Sequence, residues 1–223
     1  MCLVAQRKGM VIIMKDLPQC LDFLRELEGL KSVTRTAWTS SGRRESTAEH
    51  SWRLAVLAGL LLGEYPELDG RRVLLMALLH DVGERYGGDV SAALRPDPAQ
   101  KRAEEEAAAQ RLFGLLDERR KSEFQAVWQE YEDGATAEAR LVKALDKAET
   151  ILQHNQGDNP PDFDYAFNLE YGREYFTGEL LGELRQILDA ETRARMGEPS
   201  GRTPEKAGGC GEPARGEREN GSN

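Results

Sequence analysis

The sequence predicts an all-α fold, and three observations indicate it. Apolar residues recur with helical spacing through most of the 223-residue chain. No window of four to eight residues alternates between apolar and polar side chains as a half-buried strand would. Asp, Thr, Gly and Pro residues stand where the predicted helices begin and end. The chain length corresponds to one domain with a sizeable core, and the sequence contains no internal repeat of 20 to 50 residues.

Most of the predicted helices have a start signal or a stop signal. Asp16, Thr47, Asp69 and Thr136 are in position to cap helices, and Pro98 opens another. The first helix follows Asp16 and carries its apolar side chains at Cys20, Phe23, Leu24, Leu27 and Leu30. The later helices are predicted to cover about residues 48–62, 70–84, 98–116, 123–131, 137–156 and 171–196.

The third predicted helix is the most apolar part of the chain. Residues 73–79 form an uninterrupted apolar run, and a helix that is apolar on all faces is normally buried. We therefore expect this helix to be central and fully buried. Core packing is also expected for Trp52 on the preceding helix, and for the small side chain of Cys20.

The composition changes at both ends of the chain. Residues 1–15 fit no amphipathic pattern, and residues 197–223 contain seven glycines, three prolines and no Val, Ile, Leu, Met or aromatic residue. A segment of this kind cannot bury enough apolar surface to offset the entropy lost on ordering. We expect an N-terminal extension over 1–15, a folded domain over 16–196 and a disordered tail over 197–223.

Charge and cysteine content exclude several classes of protein. Thirty basic residues stand against 39 acidic residues, for a net charge of −9, which argues against non-specific binding of a nucleic-acid polymer. No apolar run approaches the roughly 20 residues that span a bilayer. The sparse cysteines Cys2, Cys20 and Cys210 form no disulfide framework and fit a reducing compartment. A cytoplasmic protein without a membrane partner is therefore expected.

Polar residues interrupt two of the apolar helical surfaces. His50 lies in the second predicted helix, and the pair His80 and Asp81 ends the apolar run of the third. Asp146 lies on a different helix, 66 residues after His80. A carboxylate buried without a partner costs about several kcal/mol, so Asp81 requires a cation or a group of donors. Two imidazoles and two carboxylates form a nitrogen and oxygen set that suits a divalent metal.

Each of these residues also has a purely structural explanation. His50 can be a hydrogen-bonded core histidine, and His80 with Asp81 can reflect the charges at a helix end. Asp146 can pair with Lys143, three residues earlier. For any one residue alone, the structural explanation is favoured.

The acidic residues that follow make the metal hypothesis stronger than the separate explanations. Glu84 comes four residues after His80, and Asp89 follows the glycines at 87 and 88. These positions place further acids at the same helix end, where a glycine-rich backbone can approach a ligand closely. A purely structural core has little use for so many acids around one buried helix end.

Other polar residues are expected to be structural. The run over residues 104–106 predicts a solvated, salt-bridged helix face. His154 is expected at the surface, where it complements the C-terminal end of a helix dipole. Arg35 could form a surface salt bridge, because Glu45 and two further arginines lie close in sequence.

Five segments, taken together, resemble the HD-domain metal-dependent phosphohydrolases, and more narrowly the HD-domain 5′-deoxynucleotidases. The likeness covers about residues 17–188, in order and with compatible spacing. The matching segments are Arg35–Trp38, Glu45–Arg53, Leu78–Glu84, Gly88–Val90 and Leu141–Lys147. The resemblance implies an all-α HD-domain helical bundle with a buried divalent-metal site.

The resemblance also implies which residues hold the catalytic metal. The ligands carried over from the family pattern are His50, His80, Asp81 and Asp146. Some relatives have a second ion, held partly by Glu84, Asp89 and Asp146. The ligand types do not select one metal, so Mn²⁺, Co²⁺, Fe²⁺ and Mg²⁺ are all admissible.

By the same resemblance, Arg35 orients the phosphate, and Thr36 and Trp38 contact the nucleotide. Glu84 lies near the metal and the leaving oxygen, and Asp89 contacts the sugar. The residues carried over as catalytic are Arg35, Glu84 and Asp89. The substrate-binding wall continues through Val90, Ser91 and Ala92, and the substrate also meets His50, Asp81 and Asp146.

The activity implied by the resemblance is hydrolysis of a deoxyribonucleoside 5′-monophosphate to a deoxynucleoside and phosphate. The alternatives are an HD phosphohydrolase acting on a dNTP or a cyclic nucleotide, and a non-catalytic helical binding protein. A triphosphate substrate would call for additional basic residues near the site, where Arg35 and Arg53 are the ones in place. A homodimer is expected, with the charged helix over residues 98–116 as one candidate for the contact.

Overall fold

The computed structural model describes residues 16–89 and 97–197, and within them the helical fold is confirmed. The first half contains helix α1, Leu17–Leu27; strands β1, Thr34–Trp38, and β2, Arg44–Ser46; and helices α2, Thr47–Leu61, α3, Gly70–Leu79, and α4, Glu84–Gly87. The second half contains helices α5, Pro98–Phe113; α6, Glu118–Asp133; α7, Ala137–Gln156; α8, Ala166–Glu170; and α9, Glu179–Gly197.

A short β-hairpin and helix α8 are elements that the sequence did not predict. Strands β1 and β2 pair antiparallel, with Thr34 opposite Ser46 and Trp38 opposite Arg44. In the connecting turn, Gly42 has a φ of 79°, a conformation that favours glycine. The strands have five and three residues, too few for their alternation to stand out against the helical pattern.

Two of the predicted N-caps are confirmed and two are wrong. Asp69 and Thr136 each accept a hydrogen bond from a backbone N–H in the first turn of their helices. Asp16 makes no side-chain cap hydrogen bond. Helix α2 is capped by Ser46 rather than Thr47, because Glu49 completes a reciprocal capping box with Ser46.

Several predicted helices have different bounds in the structure, and α6 begins at Glu118 rather than near residue 123. Helix α3 ends at Leu79, where turns lead into α4. The helix predicted over 171–196 begins only at Glu179, after α8 and a 3₁₀ turn over Arg173–Tyr175. Gly172 and Gly178 have φ values of 64° and 86°, so the backbone leaves the helical conformation at both positions.

The central helix is α7, not α3. Its buried residues lie on almost every turn, and it contacts α2, α3, α6 and α9. On α3, Val73 and Met76 are fully buried, but Leu78 is 46% exposed.

Trp52 is 63% exposed, so the prediction that it packs in the core is wrong. Cys20 is half-buried.

Two large apolar clusters hold these helices together. One joins α2, α3, α6 and α7 around Met76 and Leu145. The other packs α1, α5 and α6 around Phe113 and Trp128. No helix among the described residues is long and apolar enough to cross a membrane.

Candidate metal centre

Four predicted ligands meet where α2, α3 and α7 converge. His50 lies on α2, His80 and Asp81 lie at the end of α3, and Asp146 lies on α7. His50 Nε2 is 3.1 Å from Asp146 Oδ1, and His80 Nε2 is 3.0 Å from Asp81 Oδ2. The two remaining pairs, His50 with Asp81 and His80 with Asp146, are 3.8 and 3.9 Å apart. The structure therefore brings the four side chains together, and His50, His80 and Asp146 each offer a ligand atom within 4.8 Å of the others.

The hydrogen bonding of His80 leaves one ring nitrogen available for a cation. Its Nδ1 donates to the carbonyl oxygen of Ala77 at 2.9 Å, so Nε2 carries a lone pair. That atom is buried and has no hydrogen-bond partner, although the carboxylate of Asp81 lies beside it. Two acceptors facing each other in a buried site are satisfied by a positive ion. These residues therefore fit a divalent metal.

His50 is oriented by a residue that the sequence analysis missed. Its Nδ1 contacts a carboxylate oxygen of Glu149, which leaves Nε2 directed at Asp146. Glu149 is fully buried and its other oxygen accepts from Arg53 Nε at 2.5 Å. A carboxylate behind a ligating histidine is a common arrangement in metal sites. The spacing of three residues between Asp146 and Glu149 on one helix is the signal that could have identified it.

The acids around His50 favour positive charge in this cluster. Burial and the charge of Arg35 oppose protonation of His50, but Glu149 and Asp146 outweigh them and raise the pKa of His50 to about 10. A proton and a metal ion are thus both attracted to the same group of atoms.

Asp146 is also oriented by partners from outside the ligand set. Its Oδ2 accepts from Tyr131 Oη at 2.8 Å and from Lys147 Nζ at 2.9 Å, so Oδ1 faces the two imidazoles. The alternative pairing with Lys143 is wrong, because Lys143 Nζ lies over the Tyr131 ring, 4.1 Å from its centroid. Tyr131 and Lys147 were not identified from the sequence.

Arg35 reaches the cluster from strand β1. It donates to Asp81 Oδ2 at 3.2 Å and to Thr150 Oγ1 at 2.9 Å. Its Nε lies 3.6 Å from Glu45 Oε2. The Arg35 side chain is only 11% exposed, so the surface salt-bridge interpretation is wrong. Although burial opposes the charge, the acids led by Asp81 raise the pKa of Arg35.

Two further acids have perturbed environments near the ligands. Glu84 is 4% exposed and accepts from Thr47 Oγ1 at 3.0 Å. Burial, followed by the nearby charge of Asp81, raises the pKa of Glu84 well above its usual value. Burial, followed by the charge of Glu149, raises the pKa of Glu45 to about 7. Glu45 is a second buried acid that the sequence analysis did not assign to the site.

A cavity lies beside Arg35 and contains several of the predicted substrate-binding residues. It is lined in part by Arg35, Thr36, Asp89, Thr150, Phe167 and Tyr171. Trp38 is not among the residues that line the cavity; its ring packs edge-on against Phe163, with centroids 6.0 Å apart. The predicted wall over Val90, Ser91 and Ala92 lies outside the described residues.

The structure also tests two predictions about polar residues outside the ligand set. His154 is 7% exposed, so its assignment to the surface is wrong; its Nδ1 lies 2.7 Å from Asn168 Oδ1. Glu105 forms an ion pair with Lys101 at 3.0 Å, and this confirms the salt-bridged helix face there.

Comparison with known proteins agrees with this geometry. The family model of the HD domain matches residues 27–184. The 5′-deoxynucleotidase HDDC2 of Bos taurus is 38% identical over 182 residues, covering 79% of this chain and 87% of that protein. The protein of the same name from Xenopus laevis is 38% identical over 135 residues, covering 60% of this chain and 66% of that protein.

Solved structures show the same relationship. A protein of Magnetospirillum magnetotacticum described as a predicted metal-dependent phosphohydrolase superposes with a TM-score of 0.68 and is 34% identical. The match covers 81% of this chain and 97% of the other. The family match over residues 27–184 spans the helices that bring His50, His80, Asp81 and Asp146 together. By sequence and by fold, the chain belongs to the HD domain family.

Proposed function

We propose that this chain is a metal-dependent phosphomonoesterase that hydrolyses deoxyribonucleoside 5′-monophosphates to deoxynucleoside and phosphate. The observation that carries the proposal is the unpartnered Nε2 of His80, buried among acids beside the guanidinium of Arg35. Such a site attracts a cation and a phosphate together. The names of the HDDC2 relatives supply the substrate class.

In this proposal, His50, His80, Asp81 and Asp146 hold the catalytic metal. A divalent cation supplies Lewis acidity, which polarises a phosphoryl oxygen and makes water a better nucleophile near neutral pH. The donors are nitrogen and oxygen without a thiolate, so Mn²⁺, Co²⁺, Fe²⁺ and Mg²⁺ are the ions to compare. Glu84 and Asp89 would hold a second ion in a two-metal form of the site; with one ion bound, they have separate tasks.

Arg35 binds and orients the phosphate. Its planar guanidinium offers parallel donors that match two phosphate oxygens, which a lysine cannot reproduce. Asp81 and Thr150 hold the two Nη atoms at the edge of the cavity. In this proposal the phosphate binds between Arg35 and the metal ligands.

Glu84 and Asp89 have different tasks in the proposed reaction. Glu84 is buried behind Asp81 and is held by Thr47, which suits a carboxyl group that gives a proton to the departing 5′ oxygen. Asp89 is half-buried at the cavity, where it can accept a hydrogen bond from a sugar hydroxyl. The half-buried rings of Phe167 and Tyr171 line the same cavity and offer an apolar surface to the base.

The experiment that tests the proposal is a phosphate-release panel. The purified chain is incubated with each of the four metals and with deoxy- and ribonucleoside mono-, di- and triphosphates and cyclic dinucleotides. We expect phosphate release from deoxyribonucleoside monophosphates, its loss in EDTA, and its loss in the Asp81→Ala variant. Elemental analysis of the untreated protein identifies the ion that it carries.

The same panel separates the competing functions. Preferred cleavage of a triphosphate or a cyclic dinucleotide would replace the proposed substrate by another within the HD phosphohydrolases. Activity that survives both EDTA and Asp81→Ala would contradict metal-dependent hydrolysis at this site. Nucleotide binding without turnover under any metal would favour a non-catalytic binding protein.

The proposal includes a cellular setting and a domain organisation. The small nucleotide substrate and the reducing compartment indicated by three sparse cysteines support a cytoplasmic enzyme. The net charge of −9 supports a nucleotide rather than a nucleic-acid polymer as the ligand. We propose residues 16–196 as the folded unit, and a homodimer as its assembly.

A further inference from the structure

One side of the cavity beside Arg35 is formed by a short segment, residues 167–171, which is the aromatic wall of the cavity. Phe167 lies on α8, and Tyr171 follows the last residue of that helix. Both rings line the cavity, and their centroids are 4.9 Å apart. A helix of five residues has no stability of its own. The two rings therefore keep their place only if other elements hold the backbone that carries them.

One guanidinium binds the carbonyl oxygens of the aromatic wall. Arg185, on α9, donates from Nη2 to the carbonyl oxygens of Asn168 and Leu169, at 2.8 and 2.6 Å. Its Nη1 donates to the carbonyl oxygen of Tyr171 at 2.7 Å. The last carbonyls of a helix have no partner within the helix, and a cationic side chain can bind them. Arg185 therefore closes the C-terminal end of α8 from a different helix.

Arg185 is itself held in a fixed orientation. It is 6% exposed, and its Nε donates at 2.7 Å to Oδ1 of Asp189, one turn farther along α9. A buried cation costs free energy unless its charge and its donors are matched. Asp189 matches the charge, and the three carbonyls accept from the remaining nitrogens. A lysine, with one nitrogen on a flexible chain, cannot bind four acceptors in this arrangement.

The aromatic wall also contacts α7, the helix that carries a proposed metal ligand. Asn168 is fully buried, and its Oδ1 lies 2.7 Å from His154 Nδ1. Lys147 Nζ, which donates to Asp146, lies 5.0 Å from the centroid of the Tyr171 ring. The wall is thus bound by α9 on its backbone and by α7 on its side chains.

We propose that Arg185 is a positioning residue for the base of the nucleotide and acts through the aromatic wall. The inference rests on the proposed function, in which the base lies against the rings of the wall. Arg185 is not among the residues that line the cavity. An aromatic ring binds a base by stacking, and this affinity falls when the ring is no longer held in place. The metal ligands and Arg35 lie on other elements, so binding of the phosphate should be retained.

The first test compares substrates with and without a base. Arg185→Lys keeps the positive charge but loses the fork of donors. We expect KM for a deoxyribonucleoside monophosphate to rise about tenfold, the size of a weakened stacking contact, with kcat changed less than about twofold. Deoxyribose 5-phosphate has the same sugar and phosphate without a base. Its inhibition constant against the nucleotide should change less than about twofold.

Arg193→Lys is the matched control. Arg193 lies on the same helix, and its Nη2 is 3.8 Å from Oδ2 of the same Asp189, but its side chain is 62% exposed. An exposed pair of this kind contributes little, so KM and the inhibition constant should both stay at their wild-type values. Circular dichroism and Tm verify that each variant is folded.

Asp189→Asn is a second variant, which serves if Arg185→Lys does not fold. It leaves the guanidinium in place and removes only its buried counter-ion. We expect KM for the nucleotide to rise by a smaller factor than in Arg185→Lys, again without a change in the inhibition constant of deoxyribose 5-phosphate.

The second test measures hydrogen exchange of the wild-type and variant proteins loaded with Mn²⁺ and without substrate. In Arg185→Lys, the amides of residues 166–171 should exchange faster than in the wild type and in Arg193→Lys. The amides of residues 140–150 on α7 should be unchanged, because the apolar clusters still hold that helix. This readout does not depend on hydrolysis.

The third test asks whether Arg185 acts through the wall. Phe167→Ala removes one of the two rings and should raise KM for the nucleotide. If Arg185 acts by holding this ring, Arg185→Lys should have a much smaller effect on KM in the Phe167→Ala background than in the wild type.

Several results would overturn the inference. A folded Arg185→Lys variant with the KM of Arg193→Lys excludes a positioning role. An equal loss of affinity for the nucleotide and for deoxyribose 5-phosphate shows a general effect on the site, and additive effects of Arg185→Lys and Phe167→Ala exclude the route through the wall. A wild-type protein that cleaves no deoxyribonucleoside monophosphate contradicts the proposed function instead. Hydrogen exchange then still decides whether Arg185 holds residues 166–171.

Discussion

The Nε2 atoms of the two central histidines are oriented by hydrogen bonds on the far side of each ring. Ala77 supplies a carbonyl to His80, and Glu149 supplies a carboxylate to His50. In both cases Nδ1 is engaged and Nε2 is turned toward the acids. The ability of the site to hold a cation therefore depends on residues that do not themselves ligate it.

Glu149→Gln tests that dependence. The amide keeps the size of the side chain but removes the charge behind His50 and leaves Arg53 without its buried counter-ion. We expect the affinity for Mn²⁺ to fall about 10- to 100-fold, measured by calorimetric titration of the metal-free protein. Glu183→Gln, at an exposed position on α9, makes the same chemical change at the surface and should leave the affinity unchanged. Equal affinities for all three proteins would contradict this role of Glu149.

Glu45→Gln tests whether Glu45 positions Arg35. Arg35 Nε and Glu45 Oε2 are buried without hydrogen-bond partners and face each other at 3.6 Å. Removing the charge should raise KM for a nucleoside monophosphate about tenfold, equivalent to about 1.4 kcal/mol, with a smaller change in kcat. The control Glu49→Gln keeps the α2 capping box and weakens only an exposed pair with Arg43, so KM should change less than about twofold.

The effect of Glu45→Gln should depend on pH. Because the pKa of Glu45 is raised to about 7, its carboxyl is mostly neutral below that pH and charged above it. The wild-type protein should therefore resemble the variant near pH 6 and differ from it most near pH 8. A KM difference that is constant across this range would indicate that the charge of Glu45 has no part in holding Arg35.

At the scale of elements, the β-hairpin and the end of α7 together place Arg35. The backbone of β1 lies so close to Gly157 that a Cβ there would be 2.3 Å from the carbonyl oxygen of Trp38. Gln153 donates to the same carbonyl at 2.5 Å. The strand that carries Arg35 is therefore fixed to the helix that carries Asp146 and Glu149.

Gly157→Ala should push strand β1 away from the end of helix α7. The φ of Gly157 is −68°, so the expected damage comes from the collision with Trp38 and not from backbone strain. We expect a loss of stability of about 1–3 kcal/mol, seen as a lower Tm, together with reduced turnover. Gly182→Ala on α9 is the matched control: its Cβ meets no atom within 4 Å, and it should stabilise the helix by up to about 1 kcal/mol. A similar Tm change in both variants would contradict the close contact.

At the scale of the whole molecule, removing the metal should weaken the fold without abolishing it. A ligand at 1,000 times its Kd stabilises the native state by about 4 kcal/mol, and the acids of the site repel each other when no cation is present. We expect EDTA to lower Tm by several degrees in calorimetry, while the helical circular dichroism at 25 °C is retained because the apolar clusters around Met76 and Phe113 remain. Restoring Mn²⁺ should restore Tm. An unchanged Tm would indicate that no metal binds there.

Local sequence signals located most of the helices and all four proposed ligands. Asp69 and Thr136 mark helix starts because a cap is a contact between residues three apart. His50, His80, Asp81 and Asp146 stand out because each interrupts an apolar helical pattern. The HD-type pattern of these residues was therefore readable from the chain, and the structure brings them together.

Contacts between distant segments decided the rest. Glu149 lies 99 residues from His50, and Arg35 reaches Thr150 across 115 residues. His154 was expected at the surface but is buried, with Asn168 as its hydrogen-bond partner. Trp52 was expected in the core but is exposed. Spacing along a helix determines which residues share a face. Which face is covered, and which partner a buried polar group finds, is determined by the packing of the other helices against it.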